Sequence, residues 1–222
     1  MEKFKVDFIH FLVRTGALKF GEFDLKSGRK SPYFINTGSF YTGQQLHNLG
    51  RFYAYAFEHN KCEADVIFGP AYKGITLAAA VIEALFDEFG MDLSYCFNRK
   101  EVKDHGDGGL LVGAPINEKT NVFIIDDVIT AGTAIKDTVD ILKKNGNPKI
   151  KGILISLNRM EKNNEGKNAL EEVEKIAGAH VYSIVNMDEV IEVLYNKEVD
   201  GKVYIDDEKM KVIKEYRAKF GV

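Results

Sequence analysis

Short apolar runs alternate along the chain with longer segments of helical spacing. Runs at 65–68, 93–97, 122–125, 150–157 and 180–185 read as core strands. Helical spacing falls near 43–58, 74–89, 133–144, 165–177 and 187–195. This alternation predicts an α/β fold, a parallel sheet covered by helices on both faces. In such sheets ligands bind beyond the C-terminal strand ends. The first 40 residues break the pattern. Phe4, Phe8, Phe11 and Leu12 are interrupted by Lys5, Asp7, His10 and Arg14, which predicts an amphipathic helix. The stretch Leu25-Lys26-Ser27-Gly28-Arg29-Lys30-Ser31-Pro32-Tyr33 reads as a hairpin or turn. Together these make a small N-terminal cap, about residues 1–40, over the ligand edge of a single domain spanning 1–222. Residues 163–166 read as a mobile polar loop.

Composition narrows the function classes. The chain has 222 residues, 45% hydrophobic and 28% charged, as expected of a globular protein. A net charge of -3 supplies no global field for nucleic acid, so anion binding must come from local clusters. Cys62 and Cys96 lack metal-ligand spacing and a disulfide framework, which predicts buried thiols in a reducing cytosol. The N-terminal segment is too charged for a signal peptide. The most apolar stretch, 75–86, is too short to span a bilayer and carries Glu83. The expectation is a cytoplasmic protein without membrane or nucleic-acid partners.

The richest chemistry lies in Val122-Phe123-Ile124-Ile125-Asp126-Asp127-Val128-Ile129-Thr130-Ala131-Gly132-Thr133-Ala134. A buried strand ends in two adjacent carboxylates. A loop of small residues and hydroxyls follows, then a helix with Ile135, Thr138, Val139 and Leu142 on one face, closed by Lys143, Lys144, Gly146 and Pro148. Exposed backbone N–H groups and a helix N-terminus make an anion seat suited to a phosphate monoester. The acids beside it are poor phosphate ligands but good acceptors for sugar hydroxyls. The combination describes a site for ribose 5-phosphate. A P-loop and a dinucleotide fingerprint are both absent. An acidic pair holding Mg²⁺ for aspartyl-phosphate chemistry would leave the small-residue loop unexplained.

Further candidates follow other strands. In Gly69-Pro70-Ala71-Tyr72-Lys73-Gly74 an ammonium sits at a positive helix end, a place where cations are disfavoured unless an anion, such as pyrophosphate, is bound. The segment Asn98-Arg99-Lys100-Glu101-Val102-Lys103-Asp104-His105-Gly106-Asp107-Gly108-Gly109 holds Arg99, Lys100, Lys103 and His105 and ends in glycines. It reads as a lid over 99–109 that closes on a polyanion and excludes water. Its bland alternative is a charged hairpin tip. Arg159 offers a planar fork for a carboxylate or carbonyl-rich ring, against the plain alternative of a surface arginine.

The 126–134 run matches the fingerprint of the type I phosphoribosyltransferases. Several further stretches resemble the bacterial-type orotate phosphoribosyltransferases. These are Leu18-Lys19-Phe20-Gly21-Glu22-Phe23, Leu25-Lys26-Ser27-Gly28-Arg29-Lys30-Ser31-Pro32-Tyr33-Phe34, Phe68-Gly69-Pro70-Ala71-Tyr72-Lys73-Gly74-Ile75, Tyr95-Cys96-Phe97-Asn98-Arg99-Lys100-Glu101 and Lys103-Asp104-His105-Gly106. The resemblance implies transfer of ribose 5-phosphate from 5-phospho-α-D-ribose 1-diphosphate (PRPP) to orotate with Mg²⁺, a step of UMP synthesis. It also implies a homodimer. For PRPP it implies Lys26, Tyr72, Lys73, Arg99, Asp126, Asp127, Val128, Ile129, Thr130, Ala131, Gly132, Thr133 and Ala134, with Lys100, Lys103 and His105 arriving from the partner's lid. Lys103, His105 and Asp127 would be catalytic. Lys26, Phe34, Ile35, Thr130 and Arg159 would frame orotate. No dedicated metal site is implied; Mg²⁺ would come with PRPP, with Asp126 and Asp127 open to a water bridge. Asn158 stands where relatives carry Asp, and Ile35 replaces a second Phe. Rival readings are a phosphoribosyltransferase for another base, or a PRPP-sensing regulator.

Overall fold

The computed structural model describes residues 1–25, 28–103, 109–129 and 132–222. Helix α1 (Lys3–Arg14) buries Phe8, Ile9, Leu12 and Val13, the amphipathic face its spacing predicts. An antiparallel hairpin follows, β1 (Leu18–Asp24) and β2 (Lys30–Ile35), with a register shift between Phe20 and Phe23. After a 3₁₀ turn at Thr37–Ser39 comes α2 (Gly43–His59), opened by a Thr42/Gln45 capping box. Then β3 (Val66–Gly69), α3 (Lys73–Phe89), β4 (Ser94–Lys103), β5 (Gly109–Gly113), β6 (Asn121–Ile125), α4 (Thr133–Lys144), β7 (Lys149–Asn158), α5 (Ala169–Ala177), β8 (Val181–Asn186) and α6 (Met187–Leu194) build the main layers. The two-residue strands β9 (Glu198–Val199) and β10 (Lys202–Val203) and helix α7 (Asp207–Phe220) complete the chain.

The main sheet has the order β5-β4-β3-β6-β7-β8 and is parallel except for β5. Strand alternation divides the apolar side chains between two layers. Val122 and Ile124 face Ile135, Val139, Leu142 and Val173 from α4 and α5. Phe123 and Ile125 join the larger core, which gathers α1, α2, α3, α6 and α7 on the other face. Full burial of a side chain such as Phe123 contributes about 1.5–3 kcal/mol.

All five predicted strands and all five predicted helices of the main layers are present, with boundaries shifted by a few residues. Three corrections stand out. Helix α5 starts at Ala169 rather than near 165, because the Asn168 side chain accepts the Leu170 N–H and caps it there. Strand β4 runs through charged residues as far as Lys103, paired with β5, so the basic segment begins as an edge ribbon rather than a loop. The C-terminal helix α7 buries only Met210, Ile213 and Tyr216, too sparse a stripe to stand out in the sequence.

The β1–β2 hairpin falls within residues 1–40. Arg29 fastens its tip, donating from Nη1 to the Lys162 carbonyl at 2.7 Å and from Nη2 to that of Asn163 at 2.8 Å. The 163–166 segment is a hydrogen-bonded turn, its Asn163 Oδ1 accepting from the Glu165 and Lys167 N–H groups. Cys96 is buried in β4, while Cys62 is half-buried just ahead of β3. Burial pushes the thiol of Cys62 up to about 12 and that of Cys96 up to about 11, so neither is a nucleophile at neutral pH.

Candidate active site

The C-terminal ends of β3, β4, β6 and β7 meet at one edge of the sheet. Lys73 begins α3 and Gly132 precedes α4, so two helix N-termini open there. Neither has a side-chain cap among the described residues. Helix α1 lacks one too, whereas α2, α5, α6 and α7 are capped by Thr42, Asn168, Asn186 and Asp206. First-turn N–H groups without caps need another acceptor, and an anion supplies one. Beside α4 is a cleft of about 230 Å³ lined by Asp126, Val128, Ile129, Gly132, Thr133, Ala134 and Ile135. Gly132 has φ +76°, and a Cβ there would lie 2.7 Å from Val173 Cγ2, so the residue entering α4 is glycine for two reasons.

The acid pair is held by residues far away in sequence. The Asp127 N–H donates to Asp126 Oδ1 at 2.8 Å, and the Val128 N–H to Asp127 Oδ1 at 2.7 Å. Tyr53 on α2 donates its hydroxyl to the Asp126 carbonyl at 2.8 Å. Ser156 on β7 donates its hydroxyl to the Asp127 carbonyl at 2.6 Å. Thr37, just past β2, donates to Asp127 Oδ2 at 2.5 Å, and Lys73 Nζ reaches the same oxygen at 2.9 Å. The Lys73 side chain is 58% exposed, so this ion pair is worth under about 1 kcal/mol and parts easily when an anion arrives.

Burial pushes the Asp126 carboxyl up to about 7, the negative charge of Asp127 adds to the rise, and Lys73 opposes it. Such a group binds more protons folded than unfolded, so its contribution to stability falls as pH rises from about 4 to about 7. Asp126→Asn removes the penalty while keeping an oxygen for the Asp127 N–H. The melting temperature of the variant relative to the parent is expected to rise from near zero difference below about pH 4 to a plateau above pH 7. Scanning calorimetry across that range checks it; a pH-independent difference would contradict the account.

The turn after β3 is tightly closed. A Cβ on Gly69 would sit 2.0 Å from the Gly74 carbonyl oxygen, and one on Gly74 would sit 2.7 Å from both Gly69 C and Pro70 Cδ. These glycines serve backbone packing. The Ala71–Tyr72 peptide is cis. Asn98 on β4, itself buried, accepts the Ala71 N–H on Oδ1 at 3.1 Å. Tyr72 is 70% exposed, and Lys100 Nζ lies 5.4 Å from its ring centroid within the same chain. Arg99 donates to the Gly109 carbonyl at 2.9 Å, joining β4 to β5.

The expected orotate group is divided. Phe34 stacks on Phe23 with ring centroids 5.6 Å apart, whereas Ile35 lies in the main core. Arg159 is not a surface residue: it is buried over the Tyr33 ring and paired with Glu161 at 2.9 Å. Between them Met160 has φ +54°, and its N–H donates to Asn158 Oδ1 at 2.8 Å. That acceptor role is one an Asp performs equally, so the Asn158 departure leaves the turn intact. Lys26, Thr130, Ala131, His105 and the Lys103 side chain lie outside the described residues. Thr37, Tyr53, Ser156 and Glu161 are additions that no local sequence pattern marks, and Asn98, though inside a marked stretch, shows its role only through its three-dimensional neighbours.

Comparison with known proteins gives the family. The model of the phosphoribosyl transferase domain family matches residues 37–188. An orotate phosphoribosyltransferase from Clostridium botulinum (strain Alaska E43 / Type E3) is 50% identical over all of this chain and 99% of its own length. The chain belongs to the orotate phosphoribosyltransferases. Another member, from Cellvibrio japonicus (strain Ueda107), is likewise 50% identical over all of this chain and 99% of its own length. A crystal structure of the Francisella tularensis orotate phosphoribosyltransferase superposes with a TM-score of 0.84 at 38% identity, covering 97% of this chain and 100% of that one. The family fold therefore extends across the cap and α7, beyond the matched domain model.

Proposed function

We propose that this chain transfers ribose 5-phosphate from PRPP to orotate, giving orotidine 5'-monophosphate and diphosphate. The observation that carries the reading is the Asp126–Asp127 pair beside an uncapped helix N-terminus at the C-terminal edge of the sheet. The acids accept the ribose hydroxyls, and the 130–134 segment holds the 5'-phosphate. Tyr72, Lys73 and Arg99 meet the pyrophosphate, joined by Lys100, Lys103 and His105. The hairpin caps the base site, where Phe34 and Arg159 contact orotate. The test is orotate consumption followed by absorbance, with and without PRPP and Mg²⁺; orotate unchanged with all components present would refute it.

Orotate is already an anion, so a strong protein base is not required. The barrier lies in parting a highly charged leaving group from an electron-poor sugar, through a transition state resembling an oxocarbenium ion, with inversion at C1'. Lys73, Arg99, Lys103 and His105 stabilise the departing oxygens. Asp127 is catalytic through its grip on the ribose beside C1'. Closure of the 99–109 segment excludes water.

Mg²⁺ characteristically takes one or two carboxylates, several waters and substrate phosphates. Asp126 and Asp127 fit that donor set, and no cluster of three or more metal-ligating side chains exists among the described residues. When bound with the pyrophosphate, the cation would neutralise charge on the leaving oxygens.

A homodimer and a cytoplasmic location belong to the same proposal. Tyr53 and Phe57 of α2 are core residues. An apolar stripe open to a partner is on α3, where Ile75, Ala79, Ile82 and Phe86 share one face and Phe86 is 57% exposed. Tyr95 on neighbouring β4 extends the patch. Phe86→Glu is expected to convert a dimer to a monomer in light scattering; an unchanged mass would place the interface elsewhere. No helix of the described residues is long and apolar enough to cross a membrane.

A further inference from the structure

Arg159 belongs to a buried polar cluster whose other members, Glu161, Tyr33 and Ser31, the reaction scheme leaves unused. A single oxygen, Glu161 Oε1, accepts three hydrogen bonds: from Arg159 Nε at 3.1 Å, from Arg159 Nη2 at 2.9 Å and from the Tyr33 hydroxyl at 2.8 Å. Arg159 Nη2 also donates to Ser31 Oγ at 3.1 Å. The side chains of Arg159 and Glu161 are only 8% and 12% exposed. Burial works against the charge of Arg159, and Glu161 more than restores it. Burial, together with the Glu161 charge, holds the Tyr33 phenol far above its ordinary value, so it remains a donor at any working pH.

This is more than neutralisation of a stray charge. The Nε–Nη2 edge of the guanidinium is fastened to Glu161 and to β2 of the cap. Among the described residues, Nη1 makes no hydrogen bond. The left-handed backbone at Met160, held by Asn158, sets the chain between the two partners. A free arginine would lose considerable side-chain freedom on gripping a ligand, and one already fixed loses less.

We propose that Glu161, braced by Tyr33, is a positioning residue: it locks one edge of Arg159 to the cap so that the other edge is held ready for orotate. The inference rests on the reading of Arg159 as an orotate contact.

The test is steady-state kinetics on Glu161→Gln, Glu161→Ala, Tyr33→Phe, Arg159→Ala and the double variant Arg159→Ala/Glu161→Gln. Glu161→Gln keeps an acceptor oxygen but loses the charge; the KM for orotate is expected to rise on the order of tenfold, as for one weakened charge-assisted hydrogen bond. Glu161→Ala should exceed it, and Tyr33→Phe should raise the KM severalfold. The KM for PRPP should move by less than about twofold in each. The double variant should match Arg159→Ala alone, since Glu161 acts only through that side chain.

If Arg159→Ala raises the orotate KM and Glu161→Gln does not, the positioning role is overturned while the base assignment stands. If Arg159→Ala leaves the orotate KM unchanged, the base assignment itself fails. Equal loss for both substrates in Glu161→Gln, with a lowered melting temperature, would mark a structural role and overturn the proposal. Should the Glu161 variants fail to fold, Tyr33→Phe alone decides, because it removes one hydroxyl and no charge; an unchanged orotate KM then counts against it.

Discussion

Asp126→Asn combined with Asp127→Asn is expected to weaken PRPP binding by a hundredfold to a thousandfold, on the order of 3–4 kcal/mol for two charged acceptors lost. Orotate binding should change little. The asymmetry follows from position. Both acids sit at the end of β6 beside the α4 cleft, whereas Arg159, Phe34 and Glu161 belong to the end of β7 and the cap. Their backbones are pinned by Tyr53, Ser156 and the neighbouring N–H groups, so amide side chains should occupy the same places. One compensation works against the loss. Lys73 rests on Asp127 in the free protein, and its release leaves a more available cation for the pyrophosphate. Titration calorimetry with each ligand decides the matter. Equal losses for PRPP and orotate would contradict the assignment of these acids to ribose.

Gly69→Ala is expected to be the most damaging single substitution at the sheet edge. The added methyl would fall 2.0 Å from the Gly74 carbonyl oxygen and 2.8 Å from Ala78 Cβ. The first obstacle is backbone, which cannot swing aside as a side-chain tip can. Overpacking of this kind costs about 3 kcal/mol, which corresponds to a melting temperature lower by about 6–12 °C in a chain of this size. The displaced turn also carries Tyr72 and Lys73, so the KM for PRPP should rise with the loss of stability. Gly43→Ala is the control. It lies in the first turn of α2 with nothing within 4 Å of the added atom, and should not lower the melting temperature. If Gly69→Ala melts like Gly43→Ala, the close approach of Gly69 and Gly74 does not constrain the turn.

Much of this architecture is legible from periodicity alone. Strands β3, β6 and β7 lie inside the sheet, so their apolar runs stand out, and β8, although at an edge, still buries Val181, Ile184 and Val185. The edge strand β5 does not, because Leu110, Leu111 and Val112 are half-buried and bracketed by glycines. Helix α7 hides for another reason: charged residues dominate it, and its burial falls on three positions. The same contrast holds at the site. Asp126, Asp127, Gly132 and Thr133 fall within one eight-residue stretch that follows a strand, so their chemistry can be read locally. Thr37, Tyr53, Ser156 and Glu161 lie on four other segments. A hydroxyl or carboxylate in isolation carries no message about which distant carbonyl or guanidinium it meets. Arg159 is the clearest case, since nothing near it in sequence announces that Tyr33 and Ser31 close over it.

The amide of Asn98 ties two cation-bearing segments into one mechanical unit. Its Oδ1 holds the backbone beside Tyr72 and Lys73, while its Nδ2 donates to the carbonyl of Arg99. A pull on the ribbon carrying Arg99 and Lys100 is therefore transmitted through a single planar group to the bend carrying Lys73. On the proposed assignment of Lys73, Arg99 and Lys100 to the leaving group, damage to either segment should propagate to the other.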